Sequence, residues 1–128
     1  MRYDRTVRLH ADFSTTVTRV RDALAAQGFG VLTEIDVAAT LKAKLGQDME
    51  DYLILGACNP ALAHRALEAD RTIGLLLPCN VVVRTDGAET VVQALDPDTL
   101  VTLTERPELE PVAAEATHRL DAALASLT

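Results

Sequence analysis

Two cysteines, each followed by an asparagine, are the first place to look for chemistry in this chain. Cys58 closes the apolar run at residues 53–58 and is followed by Asn59-Pro60. Cys79 follows Pro78 and opens Asn80-Val81-Val82-Val83. A thiol acts as nucleophile or metal ligand in its thiolate form, so its surroundings decide what it does. Several chemistries are open to the pair. Structural zinc needs four ligands, and His10, His64 and His118 fall in no Cys-x-x-Cys or His-x-x-x-His spacing that would supply the other two. A dithiol redox centre normally uses Cys-x-x-Cys, which is absent. Capture of a soft metal by two thiolates needs no further ligand type. A thiol enzyme would use Cys58 as nucleophile with Glu34 or His64 as base. The bland alternative is packing, because cysteine often serves as a small buried hydrophobe.

Of the two thiols, Cys58 is expected to be the more reactive. Asn59 is a strong N-cap type and Pro60 suits a first helical position, so Cys58 stands at the mouth of a helix N-terminus. Free N–H groups and the positive end of the helix dipole gather there and favour a thiolate. Burial among residues 53–55 would oppose this by raising the thiol's pKa. The candidate ligand-binding set is Cys58, Asn59, Cys79, Asn80 and Glu34. Glu34 also reads as an ordinary surface carboxylate, and His10 as a solvated strand histidine. No phosphate-binding glycine loop and no nucleophile elbow occur, and no cofactor is implied.

Composition limits the partners. The net charge is −7, and Lys42 and Lys44 are the only lysines. A nucleic-acid binder needs a basic face, so none is expected. Aromatic residues are 3% of the chain, too few for a base-stacking platform. No run approaches the roughly 20 apolar residues of a membrane helix. The start of the chain has no apolar stretch of signal length, so a cytoplasmic protein with reduced thiols is expected. At 128 residues, 48% of them hydrophobic, the chain reads as one domain, residues 1–128, with a real core.

The elements that must hold the thiols follow from periodicity. Residues 6–13 alternate, with Val7, Leu9, Ala11 and Phe13 on one side, as a half-buried strand does. Ser14 is the expected N-cap of a long helix that Gly28 ends. Residues 29–36 form a second strand, with Phe29, Val31, Thr33 and Ile35 on one face. A short helix follows at residues 37–45, stopped by Gly46, then a polar loop. Residues 52–58 do not alternate and should be buried on both faces. The helix opened by Asn59-Pro60 buries Leu62, Ala63, Ala66 and Leu67, with His64 and Glu68 paired outside. Residues 73–85 are apolar again, bent or bulged at Pro78. Asp86-Gly87 marks a hairpin within residues 79–95. Residues 98–106 read as irregular or a short helical turn, and a long helix runs over about residues 108–127.

This order predicts an α+β fold: a mostly antiparallel sheet with two long helices packed on one face. A doubly wound parallel sheet is the alternative, which the hairpin disfavours. If the strands at Cys58 and Cys79 are antiparallel neighbours, the two thiols approach each other. Because residues 53–58 and 73–83 do not alternate, something apolar must cover their second side, and a symmetric partner is the simplest cover. A homodimer is therefore expected.

Three stretches carry a family resemblance: residues 28–36 (GFGVLTEID), 55–60 (LGACNP) and 76–83 (LLPCNVVV). In this order they resemble the bacterial and archaeal "domain of unknown function 302" family over nearly the whole chain. The resemblance implies a TATA-binding-protein-like β-α-β4-α arrangement, usually dimeric, with no assigned activity. Sharing a fold with a DNA-binding protein does not carry its function. Three functional classes stay open: a small-ligand or soft-metal binding module, a thiol-dependent enzyme, and a structural or partner-binding dimer.

Overall fold

The structure is a computed structural model, described here for residues 2–128. Five strands form one antiparallel sheet in the order β1-β5-β4-β3-β2. They are β1 (Asp4–Leu9), β2 (Gly30–Asp36), β3 (Tyr52–Cys58), β4 (Cys79–Asp86) and β5 (Glu89–Leu95). The helices are α1 (Phe13–Ala26), α2 (Val37–Leu45), α3 (Pro60–Ala69), α4 (Asp98–Thr104) and α5 (Glu110–Ala125). Every neighbouring pair of strands is antiparallel, which excludes the doubly wound alternative.

The two long helices, α1 and α5, cover one face of the sheet. Val20 and Leu24 of α1, with Leu120 and Ala123 of α5, meet Leu53, Leu55, Ala57, Val81, Val83, Val92 and Ala94 of the strands in one core. A second core lies beside it. There Leu62 and Ala66 of α3, Ile73, Leu100 of α4, Leu109, and Val112 and Ala116 of α5 pack together. The first half of α5 therefore serves the second core and its second half the first.

Four local features depart from the sequence-based expectation, each for a physical reason. Helix α1 is capped by Asp12, not Ser14. The Asp12 carboxylate accepts the Thr15 backbone N–H at 2.7 Å and the Thr15 hydroxyl at 3.0 Å. That starts the helix at Phe13 and ends β1 at Leu9, before Phe13 can join it. In β2 the pairing jumps from Val31↔Ala57 to Thr33↔Gly56, so Leu32 is bulged out. A bulge reverses side-chain parity beyond it. Thr33 and Ile35 therefore turn away from α1 and α5, and Glu34 and Asp36 turn towards them. Residues 73–76 are not strand. They belong to a 3-10 turn, Arg71–Leu76, which Asp70 caps by accepting the Thr72 N–H at 3.0 Å, and Ile73 plugs the second core. Residues 98–104 form a helix and not a single turn, because Leu100 is drawn into the second core.

The other boundaries agree with expectation. Gly28, at φ +82°, takes the left-handed position after α1, and the Phe29 N–H then reaches back to the Leu24 carbonyl at 2.9 Å. The β4–β5 hairpin closes on Gly87-Ala88, with Gly87 at φ +60°. The Leu77–Pro78 peptide is cis and makes the bend expected at Pro78.

Candidate functional site

Strand β3 ends at Cys58 because Asn59-Pro60 turns the chain into α3. The Asn59 side-chain oxygen accepts the Leu62 backbone N–H at 3.2 Å, and Pro60 occupies the first turn, where a missing N–H costs nothing. Strand β4 begins at Cys79, directly after the Pro78 bend. In the β3–β4 register Cys79 faces Ala57, and Asn80 faces Gly56. Cys58 and Cys79 therefore stand one residue apart across antiparallel neighbours, an offset of about 3.3 Å along the strand, and alternation directs the two side chains to opposite faces of the sheet end. The near arrangement holds, and both thiols are free and half-buried.

Both cysteines line one hollow of about 40 Å³ at the seam of the two cores. The sheet contributes Ala57, Cys58 and Cys79, the bend contributes Leu77 and Pro78, and Leu62, Leu100 and Val112 close the far side. The seam is roomy because methyl groups meet there: Ala57, Ala63, Ala66 and Ala116 all face it. Burial pushes the Cys79 thiol above its ordinary value, and the neighbouring Cys58 adds to this.

Behind Asn59, next to the hollow and outside its lining, lies a polar cluster. A Cβ added to Gly28 would stand 3.0 Å from Asn59 Nδ2 and 3.1 Å from Arg119 Nη1. Arg119 also donates to the Gln27 carbonyl at 3.1 Å and pairs with Glu115 at 2.8 Å. Gly28 is thus fixed twice, by its backbone angle and by the two side chains that close over it. On the other sheet face, a Cβ on Gly56 would meet Thr33 Oγ1 at 2.1 Å and Pro78 Cγ at 2.8 Å. The missing side chain lets the Pro78 bend and the β2 bulge lie flat across β3.

A family model described as "Domain of unknown function DUF302" matches residues 5–127. The chain belongs to this family. A solved structure of an uncharacterized conserved DUF302 protein from Bacillus stearothermophilus is similar, with 33% identity, 96% of each chain covered and a TM-score of 0.90. No curated protein matches the sequence.

Of the five candidate site residues in this DUF302 chain, the fold gathers Cys58, Asn59 and Cys79 and leaves two apart. Asn80 is exposed on the opposite sheet face, where it lines a separate shallow hollow with Tyr52, Val82 and Gln93. Glu34 lies on β2 and binds Arg21 of α1. His64 is exposed and stands 3.6 Å from Glu68, the pair expected from their spacing. Neither proposed base lines the thiol hollow. Among the described residues no three His, Cys, Asp or Glu side chains gather to hold a metal, and no helix is long and apolar enough to cross a membrane. Sequence reasoning missed Arg119 and Gly56. Nothing local marks Arg119, which reaches the site from 92 residues beyond Gln27. Gly56 did carry a signal, since a glycine inside an apolar strand often marks close approach of another chain segment.

Proposed function

We propose that this DUF302 domain is a binding module whose site is the thiol-lined hollow between its two cores, and whose ligand is small and thiophilic. The observation that carries this reading is the convergence of both cysteines on one apolar hollow from two different strands. The size of the hollow argues against an organic substrate, since ligand pockets are usually about 300–1,000 Å³. Thiol catalysis is less well supported. A nucleophile needs a base within hydrogen-bond reach, and Glu34 and His64 are both engaged elsewhere. The test is mass spectrometry of the native protein, alone and after exposure to small thiophiles, with peptide mapping of iodoacetamide labelling between pH 6 and 9. The reading expects a 1:1 adduct that protects Cys58 from labelling, and Cys58 labelling ahead of Cys79, whose thiol burial pushes up. Two cysteines silent to every thiophile would leave packing as their only role.

The same reading includes a homodimer, now for a different reason than the apolar runs. The side chains at 53, 55 and 57 face the helices, and residues 73–76 lie outside the sheet, so Ile54 and Val82 are the large apolar side chains of those runs left on the face without helices, where both are half-buried. Support comes instead from β2 and α2. Strand β2 is a sheet edge, and α2 buries no residue. Leu32, Ile35 and Leu45 are 68%, 49% and 66% exposed there. Open edges of this kind invite pairing with another chain. Sedimentation at micromolar concentration is expected to give twice the 13.8 kDa chain mass, and Leu45→Glu with Leu32→Glu to return it to one. A wild-type protein found only as a 13.8 kDa species would reject the dimer.

A further inference from the structure

We infer that a second copy of this chain docks on the sheet face that α1 and α5 leave open, its strands antiparallel to those beneath, so that Asn80 of each copy meets Arg84 of the other. This rests on the homodimer reading above and names its surface and geometry.

The register fixes what this face presents. Ile35, Ile54, Val82, Gln93 and Thr6 form its middle row, one residue from each strand. Two residues along the strands in one direction lie Gly56 and its neighbour Asn80. Two residues along in the other lie Tyr52 and its neighbour Arg84, then Val91 of β5. Over these rows β3, β4 and β5 carry no carboxylate on this face, in a chain with 19 Asp and Glu. Asp86 and Glu89 stand apart at the hairpin end, where Arg8 holds both. Depletion of charge is a mark of interface centres. Five strands about 4.8 Å apart, each of about seven residues at 3.3 Å, make a face of about 24 Å by 23 Å. Two such faces bury about 1,100 Å² of plane, the size at which specific interfaces begin. Ile35, 49% exposed, carries the face to the β2 edge already assigned to the dimer.

The pattern along each strand selects the orientation. A two-fold axis can stack β4 on β4 in two ways. With the axis along the strands, every β4 residue meets itself, and Arg84 stacks on Arg84 as a like-charge contact. With the axis across the strands, positions reverse about Val82. Val82 then meets Val82, and Asn80 meets Arg84 twice. Both groups lack a match in their own chain. Asn80 is exposed and makes no side-chain hydrogen bond among the described residues, where Arg84 donates only to Gln93 Oε1, at 3.2 Å. The hollow of about 280 Å³ bordered by Asn80, Val82 and Gln93 gives the incoming guanidinium room. The same reversal sets Tyr52 over Gly56, the largest side chain of β3 over none, and Leu95 of β5 over Val91. Asp4 comes over Arg8 on β1, but both are already paired within the chain and add no selectivity. Packed sheets keep their strands within about 30° of one another, which this arrangement satisfies.

The experiment is sedimentation equilibrium of the full chain from nanomolar to micromolar concentration, with circular dichroism reporting each variant folded. Asn80→Arg sets like charges together and is expected to raise the dimer dissociation constant by about 100-fold or more. Adding Arg84→Asp should restore the dimer by pairing the introduced charges between copies. Within one copy these positions lie about 13 Å apart along β4, too far to pair with each other. Val82→Lys, which places two charges on the axis, should dissociate the dimer as strongly. Asn80→Arg and Val82→Lys dimers as tight as wild type would overturn the inference; if Leu32→Glu with Leu45→Glu still separated that protein, the dimer would stand on the β2 edge alone. A double variant weaker than Asn80→Arg by itself would overturn the inference too. A wild-type chain found only at 13.8 kDa would remove this inference and the dimer together.

Discussion

The most demanding test of the fold around the site is Gly56→Ala. An alanine Cβ at this position would stand 2.1 Å from Thr33 Oγ1 and 2.8 Å from Pro78 Cγ. Neither contact can be relieved cheaply. Thr33 is held in register by the β2–β3 ladder just beyond the Leu32 bulge, and the Pro78 ring has no rotamer to change. One methyl group therefore has to move two elements at once. Overpacking of this kind typically costs about 1–3 kcal/mol. With an unfolding entropy of about 2.1 cal/mol/K per residue, 2 kcal/mol over 128 residues lowers Tm by about 7 °C. The assay is urea and thermal unfolding of Gly56→Ala, Thr33→Ala and the double variant. Removing the Thr33 hydroxyl leaves the Pro78 contact in place, so the double variant should recover part of the loss but not all. Because Pro78 precedes Cys79, the single variant should also change Cys79 labelling under native conditions. A Gly56→Ala protein within about 0.5 kcal/mol of wild type, with unchanged labelling, would refute the reasoning, since substitutions without a specific mechanism fall in that range.

Four further outcomes follow from the same contacts. Asp121→Asn breaks the two-pronged pairing of Asp121 with Arg5, at 2.5 and 2.7 Å, that ties β1 to α5. Because the pair is partly exposed, the expected loss is about 1 kcal/mol by urea unfolding, shrinking in high salt. The Thr15 N–H and then the Thr15 hydroxyl hold the Asp12 carboxyl below its ordinary value. Its contribution is therefore present above the unfolded pKa, near 3.9, and is lost as pH falls through the lower folded value. Asp12→Asn should flatten that part of the acid limb in a pH series of Tm values. Asn59→Ala removes the α3 cap and should cost about 1 kcal/mol by denaturant titration, while Asn59→Asp keeps most of it. Ala66→Val pushes methyl groups into the hollow: burial gains about 1.6 kcal/mol and helix propensity gives back about 0.5, so unfolding should show equal or slightly higher stability while thiophile binding is lost.

The parts of the fold legible in the sequence are those where one local signal has no rival. Helix α2 ends where Gly46 can adopt φ +67°, and the β4–β5 turn sits at Gly87-Ala88, directly after Asp86, because Gly87 takes φ +60°. Where two signals compete within a few residues, the sequence does not decide. Asp12 and Ser14 are both good caps, and the carboxylate wins by accepting from both the N–H and the hydroxyl of Thr15. Residues 73–76 are apolar, and a short apolar run reads alike as a buried strand or a buried turn. Only the second core, which draws Ile73 inward, separates the two. The Leu32 bulge has no local mark at all. One inserted residue shifts the β2–β3 register between Val31 and Thr33 and turns Glu34 towards Arg21 on α1.

The candidate site divides along the same line. That Cys58 and Cys79 approach each other was legible, because a hairpin followed by antiparallel pairing leaves few other arrangements. That Asn59 and Asn80 part company was also implicit, since alternation sends the residue after Cys79 to the opposite face while Asn59 leaves the strand altogether. What could not be read is the hollow. It is a product of four alanines on three elements, and none of them carries any chemical signal alone. A chain shaped for stability alone would fill that seam, since buried methylene groups stabilise by about 0.8 kcal/mol each. Here the seam stays open at the one place where it reaches the sheet, and both cysteines of the chain border it. Packing accounts for either thiol singly. It does not account for an unfilled seam beside both, which is why occupancy of the hollow is the measurement that separates a binding site from a core.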